Sequence, residues 1–250
     1  MIDIAPFDTS HAYQVNLVNY LHEAEQNARH QLVNLAKELK AKAKKKKSDT
    51  RITYSLTNGI AADEIIAKSR KYKPGLIVIG TRGIGHQTGG FLGSVTAKVI
   101  EKTAAPVLAI PENCRYTSIE NLKNVLYATD FDEADHLNMS RLINLLHPFD
   151  TALFCVHVSI GLRKSWQKVK MDSLEYFMEK EYPKYPVKYE IVVSDDIING
   201  LETYMRNQSI DVIALTNHNR GLLAKLFTPS ITKMVLGRIN KPLFVFKSSG

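Results

Sequence analysis

The sequence predicts an α/β protein built from two copies of one fold, each a parallel sheet with helices on both faces. Residues 74–111 fall without a gap on residues 210–247 when the chain is shifted by 136 positions, so it contains an internal repeat. Short apolar runs typical of buried parallel strands alternate with amphipathic helical segments in both copies. The composition, 44% apolar and 23% charged in 250 residues, suits an ordinary globular protein of one or two domains.

The second copy carries the complete alternation. Its first run, NVLYAT (124–129), is short and apolar, as a buried strand should be. Five strands interleaved with four helices predict a doubly wound parallel sheet. The predicted elements are strands 124–129, 152–158, 187–193, 211–215 and 243–246, and helices 135–146, 169–180, 197–207 and 229–237.

The first copy follows the same order but starts late. A helix over 14–46 has apolar residues three or four positions apart, which predicts one apolar stripe facing a core. No counterpart of 124–158 precedes it, so we expect this copy to lack its first strand, its first helix and most of its second strand. Its other predicted elements are strand 51–56, helix 61–71, strand 76–79, helix 94–103 and strand 107–110, and the two lobes are placed at 1–112 and 121–250.

A glycine-rich loop after strand 76–79 is the strongest local signal. It reads Gly80-Thr-Arg-Gly83, nine residues, then Gly93-Ser94 at the start of a helix. Gly80 and Gly83 let the backbone turn sharply and approach a ligand. Free N–H groups and the positive dipole end at Gly93-Ser94 favour phosphate, and the Ser94 hydroxyl can cap the helix or donate to phosphate. The loop lies at the carboxyl end of a strand, where open parallel sheets bind ligands. It matches neither Walker A nor GxGxxG.

The spacing Gly-x2-Gly-x9-Gly-Ser resembles the nucleotide-binding signature of the universal stress protein family. The whole chain is similar to a tandem pair of such domains, and NVLYATDF (124–131), VHV (156–158) and NGIAADEI (58–65) resemble further family segments. The resemblance implies flavodoxin-like lobes of the adenine-nucleotide alpha-hydrolase-like kind. It also implies binding of ATP, with or without Mg²⁺, in a stress-response switch that hydrolyses ATP slowly or not at all.

The resemblance also implies a set of nucleotide-binding residues. Asp130 matches an acidic residue near the ribose or a divalent metal, and Val158 matches a residue beside adenine, but both belong to the second copy. The intact glycine loop belongs to the first copy, so neither copy holds a full set. The residues carried over are Ile79, Gly80, Arg82, Gly83, Gly93, Ser94, Val95, Thr96, Asp130 and Val158.

The corresponding loop of the second copy is degenerate. It reads Thr216-Asn-His-Asn219, nine residues, then Pro229-Ser230. Asn tolerates positive φ but still carries a side chain, and Pro229 lacks the N–H that would face a phosphate. We therefore expect the first copy to carry nucleotide binding.

Other functions stay open on the residues alone. The main alternative is a ligand-free scaffold in which both sites have lapsed. An ATP-using ligase or pyrophosphatase is disfavoured, since no SGGxDS-type phosphate loop is present. No HExxH motif or paired Cys/His set is visible, and no nucleophile–base pair stands at a readable spacing, so we assign neither catalytic residues nor metal ligands.

Single residues have simpler interpretations as well. Asp130 could cap the turn after its strand, and Arg82 and His86 could be ordinary surface residues. His157 is expected to be a hydrogen-bonded core histidine, and Cys155 is expected in the core.

The net charge of +8 is concentrated in one run. Residues 37–47 (KELKAKAKKKK) hold seven Lys against one Glu and so carry six of the eight net charges. Cations there complement the negative end of a helix dipole, so a solvated helix end is expected. Clustered lysines can also contact nucleic acid, but no interleaved aromatic residues support that, and nucleic acid is not an expected partner.

The surroundings and partners follow from simple features. No window of about 18 apolar residues and no signal peptide are visible, and Cys114 and Cys155 cannot form a disulfide scaffold, so we expect a cytoplasmic protein without a membrane partner. The lobes are expected to pack as an internal pseudo-dimer through strands 107–110 and 243–246. Further association into a homodimer is also expected.

Overall fold

The computed structural model of the protein describes residues 9–81, 93–112, 114, 121–162, 164–217 and 241–248, with side chains from residue 19 onwards. They form two compact units, Met1–Gly59 and Ile60–Gly250. The predicted helix 229–237 lies outside the described residues. The elements are α1 (Thr9–Lys45), α2 (Ala61–Tyr72), β1 (Ile77–Gly80), α3 (Ser94–Lys102), β2 (Val107–Ile110), β3 (Asn124–Ala128), α4 (Asp135–Leu146), β4 (Ala152–Ile160), α5 (Ser165–Glu181), β5 (Val187–Ser194), α6 (Ile197–Asn207), β6 (Val212–Asn217) and β7 (Leu243–Lys247).

One mostly parallel sheet of seven strands organises the unit Ile60–Gly250, in the order β1-β2-β7-β6-β3-β4-β5. The two copies meet where β2 pairs antiparallel with β7, with Val107 opposite Val245 and Ala109 opposite Leu243. The predicted pairing of the final strands is therefore confirmed. All other neighbouring strands in this sheet run parallel.

Helices cover both faces of the sheet, as the doubly wound prediction requires. One core lies under α3 and α6 and includes Val99 and Leu201. The other lies under α4 and α5 and includes Leu142 and Met178. The apolar runs of β3 and β6 are buried because each contributes side chains to both cores. The predicted α/β fold class is thus confirmed.

The predicted strand 51–56 is wrong. Residues 51–58 have no regular secondary structure. The corresponding strand of the second copy, β5, pairs only with β4. Within residues 9–76 there is no strand that could take the place of β4, so a strand at 51–56 would leave its backbone N–H and C=O groups without partners.

Among the described side chains, most residues of the apolar stripe predicted for the first helix are exposed. Leu21, Leu35 and Leu39 of α1 are 58%, 51% and 41% exposed, whereas the small Ala36 is buried. In the second copy, the corresponding helix α5 buries Met171 and Met178 in the core over its sheet. The lysines in the last turn of α1 are exposed, as the prediction of a solvated helix end requires. Among the described helices, none is both long and apolar enough to cross a bilayer.

A side-chain cap fixes the start of α6. One carboxylate oxygen of Asp196 accepts hydrogen bonds from the amides of Ile198 and Asn199 at 2.9 and 3.0 Å. We expect Asp196→Ala to lower the free energy of unfolding by about 1 kcal/mol in chemical denaturation. The neighbouring exposed Asp195 makes no such cap, so equal losses for Asp195→Ala and Asp196→Ala would contradict this role.

Candidate functional site

Two hydrogen bonds hold the ends of the glycine loop together. The Gly93 amide donates a hydrogen bond to the Thr81 carbonyl at 2.6 Å. The Thr96 hydroxyl donates to the Gly80 carbonyl at 2.9 Å. These bonds join the end of β1 to the start of α3, so the two ends of the loop lie side by side. Arg82 and Gly83, predicted to contact nucleotide, lie outside the described residues, as does His86.

Gly93 is required by a close approach of the backbone. A Cβ atom at this position would lie 2.9 Å from the Thr81 carbonyl oxygen, closer than real Cβ atoms come. The Gly93 backbone is extended, with φ −64° and ψ 152°, a conformation open to any residue. The constraint is therefore space, and it keeps Gly93 against Thr81 at the mouth of the loop.

The start of α3 presents free amides. Gly93 occupies the N-cap position, and no side chain caps the helix. The first N–H groups of a helix have no partner within it, and in the described part of the chain no group accepts from the Ser94 or Val95 amide. Ser94 is exposed. Two amides at the positive end of a helix dipole can bind an anionic oxygen such as a phosphate.

Three further residues predicted to contact nucleotide lie at the ends of β1 and α3 that flank the loop. Ile79 and Val95 are half-buried and pack against the core under α3. Thr96 is buried, and its hydroxyl is occupied by Gly80. The sequence analysis did not identify Thr81, which is buried and whose carbonyl accepts the hydrogen bond from Gly93. Its position directly after a predicted strand was the only sequence feature that pointed to this role.

Asp130 and Val158 are not brought to this loop. They follow β3 and lie in β4, whereas the loop follows β1. Four strand spacings separate β1 from β3, roughly 19 Å at the usual spacing. Because β2 and β7 are antiparallel, β1 and β3 run in opposite directions, and their carboxyl ends point toward opposite ends of the strands of the sheet. The residues predicted to contact nucleotide thus fall into two separate groups, one at β1 and α3 and one at β3 and β4, here called half-sites.

A buried hydrogen-bond network underlies the half-site of the second lobe. Thr216, which takes the place of Gly80, shares a 2.6 Å hydrogen bond with the Tyr127 hydroxyl and accepts one from the Asn138 amide at 2.9 Å. Tyr127 and Thr129 donate to the two carboxylate oxygens of Asp135 at 2.8 and 2.5 Å. Burial raises the pKa of Asp135, and these two hydrogen bonds oppose that shift. The Thr216 hydroxyl therefore faces the protein interior, where Gly80 has no side chain.

His157 is the core histidine that the sequence predicts. The Thr129 carbonyl can only accept, so Nδ1 of His157 donates to it at 2.9 Å. Nε2 then accepts from the Gln167 amide at 3.1 Å. Both ring nitrogens are thus used inside the protein with the imidazole neutral. Cys155 is likewise fully buried, as predicted.

The free energy of unfolding should depend on His157 below neutral pH. Burial lowers the pKa of His157 beneath its usual value of 6.5. The unfolded chain therefore takes up the proton first, and the contribution of this residue to stability is lost as the pH falls below 6.5. Relative to His157→Gln, the wild type should lose at most about 1.4 kcal/mol per pH unit between pH 7 and 5 in urea denaturation. Parallel pH profiles would contradict the neutral buried imidazole.

Metal-binding clusters are absent from the part of the chain that the structure describes: no group of three His, Cys, Asp or Glu side chains converges there.

Comparisons with known proteins agree with the fold. The model of the Universal stress protein family matches residues 5–111 and 121–247. The crystal structure of a universal stress protein from Archaeoglobus fulgidus DSM 4304 is 19% identical, with a TM-score of 0.70 over 92% of this chain and 80% of that one. A candidate universal stress protein from Pseudomonas aeruginosa UCBPP-PA14 is 15% identical, with a TM-score of 0.56 over 90% of this chain and 78% of that one.

A protein of unknown function from Pseudomonas aeruginosa PAO1 is similar to the same extent, 13% identical with a TM-score of 0.54 over 90% of this chain and 78% of that one. None of the curated proteins searched matches the chain. At these identities the solved structures show the fold, and the family model covers both copies. The chain therefore belongs to the universal stress protein family, of which it carries two domains in tandem.

Proposed function

We propose that the chain binds ATP at the glycine loop of its first lobe and acts as a stress-response switch that hydrolyses ATP slowly or not at all. The observation that carries the proposal is the contact of Gly93 with Thr81, which leaves no room for a side chain. This contact places the Ser94 and Val95 amides at the mouth of the loop. The contacts expected for nucleotide come from Ile79, Gly80, Arg82, Gly83, Gly93, Ser94, Val95 and Thr96.

The first lobe would then bind nucleotide without an acidic partner. Asp130 follows β3 and Val158 lies in β4, so both belong to the second lobe, which also holds the network of Tyr127, Asp135 and Thr216. With no carboxylate cluster in the described residues to hold a metal, Mg²⁺ would enter with the nucleotide. We expect ATP to bind the glycine loop with and without Mg²⁺.

Isothermal titration calorimetry with ATP, in the presence and absence of Mg²⁺, tests the proposal. Saturable binding of ATP at the glycine loop is expected, together with product formation far slower than release of the bound nucleotide. Fast release of phosphate or pyrophosphate would contradict the non-catalytic part.

A ligand-free scaffold is the second candidate. The observation that favours it is the separation of the two half-sites, at opposite ends of the strands of the sheet and four strands apart. Absence of binding at millimolar ATP, in protein whose circular dichroism shows it folded, would support this scaffold against the nucleotide switch.

The other expectations remain proposals as well. We propose lobe boundaries at 1–112 and 121–250, a homodimer and a cytoplasmic location. Sedimentation equilibrium distinguishes a homodimer from a monomer directly.

A further inference from the structure

A groove of about 670 Å³ lies between the first lobe and α4 of the second lobe. Its first wall is the end of α2 and the turn into β1, with Arg70 and Lys73, and its second wall is α4, with Arg141. The turn before β2, with Ala105 and Pro106, forms the floor. The groove lies at the amino ends of β1 and β2, whereas the glycine loop follows the carboxyl end of β1. The two sites are therefore distinct.

The antiparallel junction builds this groove. Because β2 and β7 run in opposite directions, the turn that precedes β2 lies beside the carboxyl end of β7. At that end, the carbonyl of Lys247 accepts a hydrogen bond from the Asn138 amide of α4 at 3.3 Å. Basic residues from two lobes thus face one space.

The lining is basic and carries no balancing charge. Arg70, Lys73 and Arg141 line the groove, and none of its described lining residues is Asp or Glu. In the described part of the chain, none of the three forms an ion pair with a carboxylate. Like charges around one cavity raise the electrostatic potential there and attract an anion. A volume of about 670 Å³ lies within the range of small-molecule sites.

One hydrogen bond orients the exposed Arg141 side chain. Its Nη1 donates to the Asn138 side-chain oxygen at 3.3 Å. Asn138 is fully buried, and its amide donates to Thr216 and to the Lys247 carbonyl. Arg70 lies in the last turn of α2 and Lys73 caps it, where cations complement the helix dipole, but Arg141 lies in the middle of α4 and has no such role. A fixed guanidinium matches phosphate oxygens in shape and charge.

We propose that this groove binds a small organic phosphate carrying two or more negative charges. The phosphate lies among Arg70, Lys73 and Arg141, and the apolar part of the ligand contacts Ala105, Pro106 and Leu145. The inference does not depend on the glycine loop, since no lining residue belongs to it.

Calorimetric titration of the full chain with sodium pyrophosphate tests the charge part. Arg141→Gln and Lys73→Gln should each weaken binding roughly tenfold, and added NaCl should weaken it in the wild type. The matched control is Arg206→Gln, which removes an exposed guanidinium from α6, away from the groove, and should bind as the wild type does. Absence of binding by the wild type, or equal affinity in all four proteins, would overturn the proposal.

A second pair of titrations tests the apolar part. Phenyl phosphate and inorganic phosphate both carry up to two negative charges, but only the first has an apolar group. Tighter binding of phenyl phosphate that is lost in Arg141→Gln is expected. Equal affinity for the two would overturn the assignment of an organic ligand.

Discussion

Replacing Gly93 with valine is expected to weaken ATP binding at least tenfold. Any Cβ at this position meets the Thr81 carbonyl oxygen at 2.9 Å, so α3 must move away from β1. That movement breaks the 2.6 Å hydrogen bond from the Gly93 amide to Thr81 and displaces the Ser94 and Val95 amides. A loss of about 1.4 kcal/mol of phosphate interaction already corresponds to tenfold in affinity. Calorimetric titration with ATP measures the effect.

A second glycine provides the matched control. A Cβ at Gly75 meets nothing within 4 Å, and Gly75 precedes β1 at its amino end, away from the glycine loop, so Gly75→Val should leave ATP binding at that loop unchanged. Gly93→Val is also expected to lose about 1–3 kcal/mol of stability, as overpacked sites do. Thr96→Val tests the loop independently, since it removes only the hydrogen bond to the Gly80 carbonyl. Unchanged affinity in both Gly93→Val and Thr96→Val would contradict the assignment of the site.

Truncation of Phe244 should cause the largest loss of stability, about 3–5 kcal/mol for Phe244→Ala. Phe244 lies opposite Leu108 in the β2–β7 junction, is 6% exposed, and stacks on Phe246 with ring centroids 6.1 Å apart. Its removal leaves a cavity where the two copies join. Urea denaturation followed by circular dichroism measures the loss.

The control for the junction is a phenylalanine outside it. Phe177 of α5 is 37% exposed, so Phe177→Ala should cost clearly less than Phe244→Ala. One continuous sheet also predicts a single unfolding transition for the unit Ile60–Gly250. Equal losses in the two variants, or two separate transitions, would contradict the junction as described.

Local patterns predicted most elements, and the repeat of 74–111 at 210–247 shows some of them twice. The boundaries of α4 and α6 match the prediction, since their apolar faces pack on a sheet that is present. The strand at 51–56 and the buried stripe of α1 failed for one reason. Both patterns are those of elements that cover or extend a sheet, and no strand before β1 is found in residues 9–76 to receive them. The spacing of apolar residues shows which face of a segment is apolar. It does not show whether a neighbouring strand is present for that segment to pair with or pack on.

The candidate site was predictable where the backbone itself dictates residue type. Gly93 and Ser94 stand out because strand, glycine spacing and helix follow one another directly. Asp135 did not stand out, because an aspartate in the first turn of a helix usually lies in solvent near the positive dipole end. Only the tertiary placement of Tyr127 and Thr129 shows that this carboxyl group is buried. The separation of Asp130 from the loop likewise depends on the antiparallel junction between β2 and β7.

Crystals of the full chain grown with millimolar ATP test the central claim most directly. We expect electron density for the phosphates against the Ser94 and Val95 amides, with the ribose near Gly80. A well-ordered glycine loop with no nucleotide, or ATP bound only beside Asp130 and Val158, would contradict it.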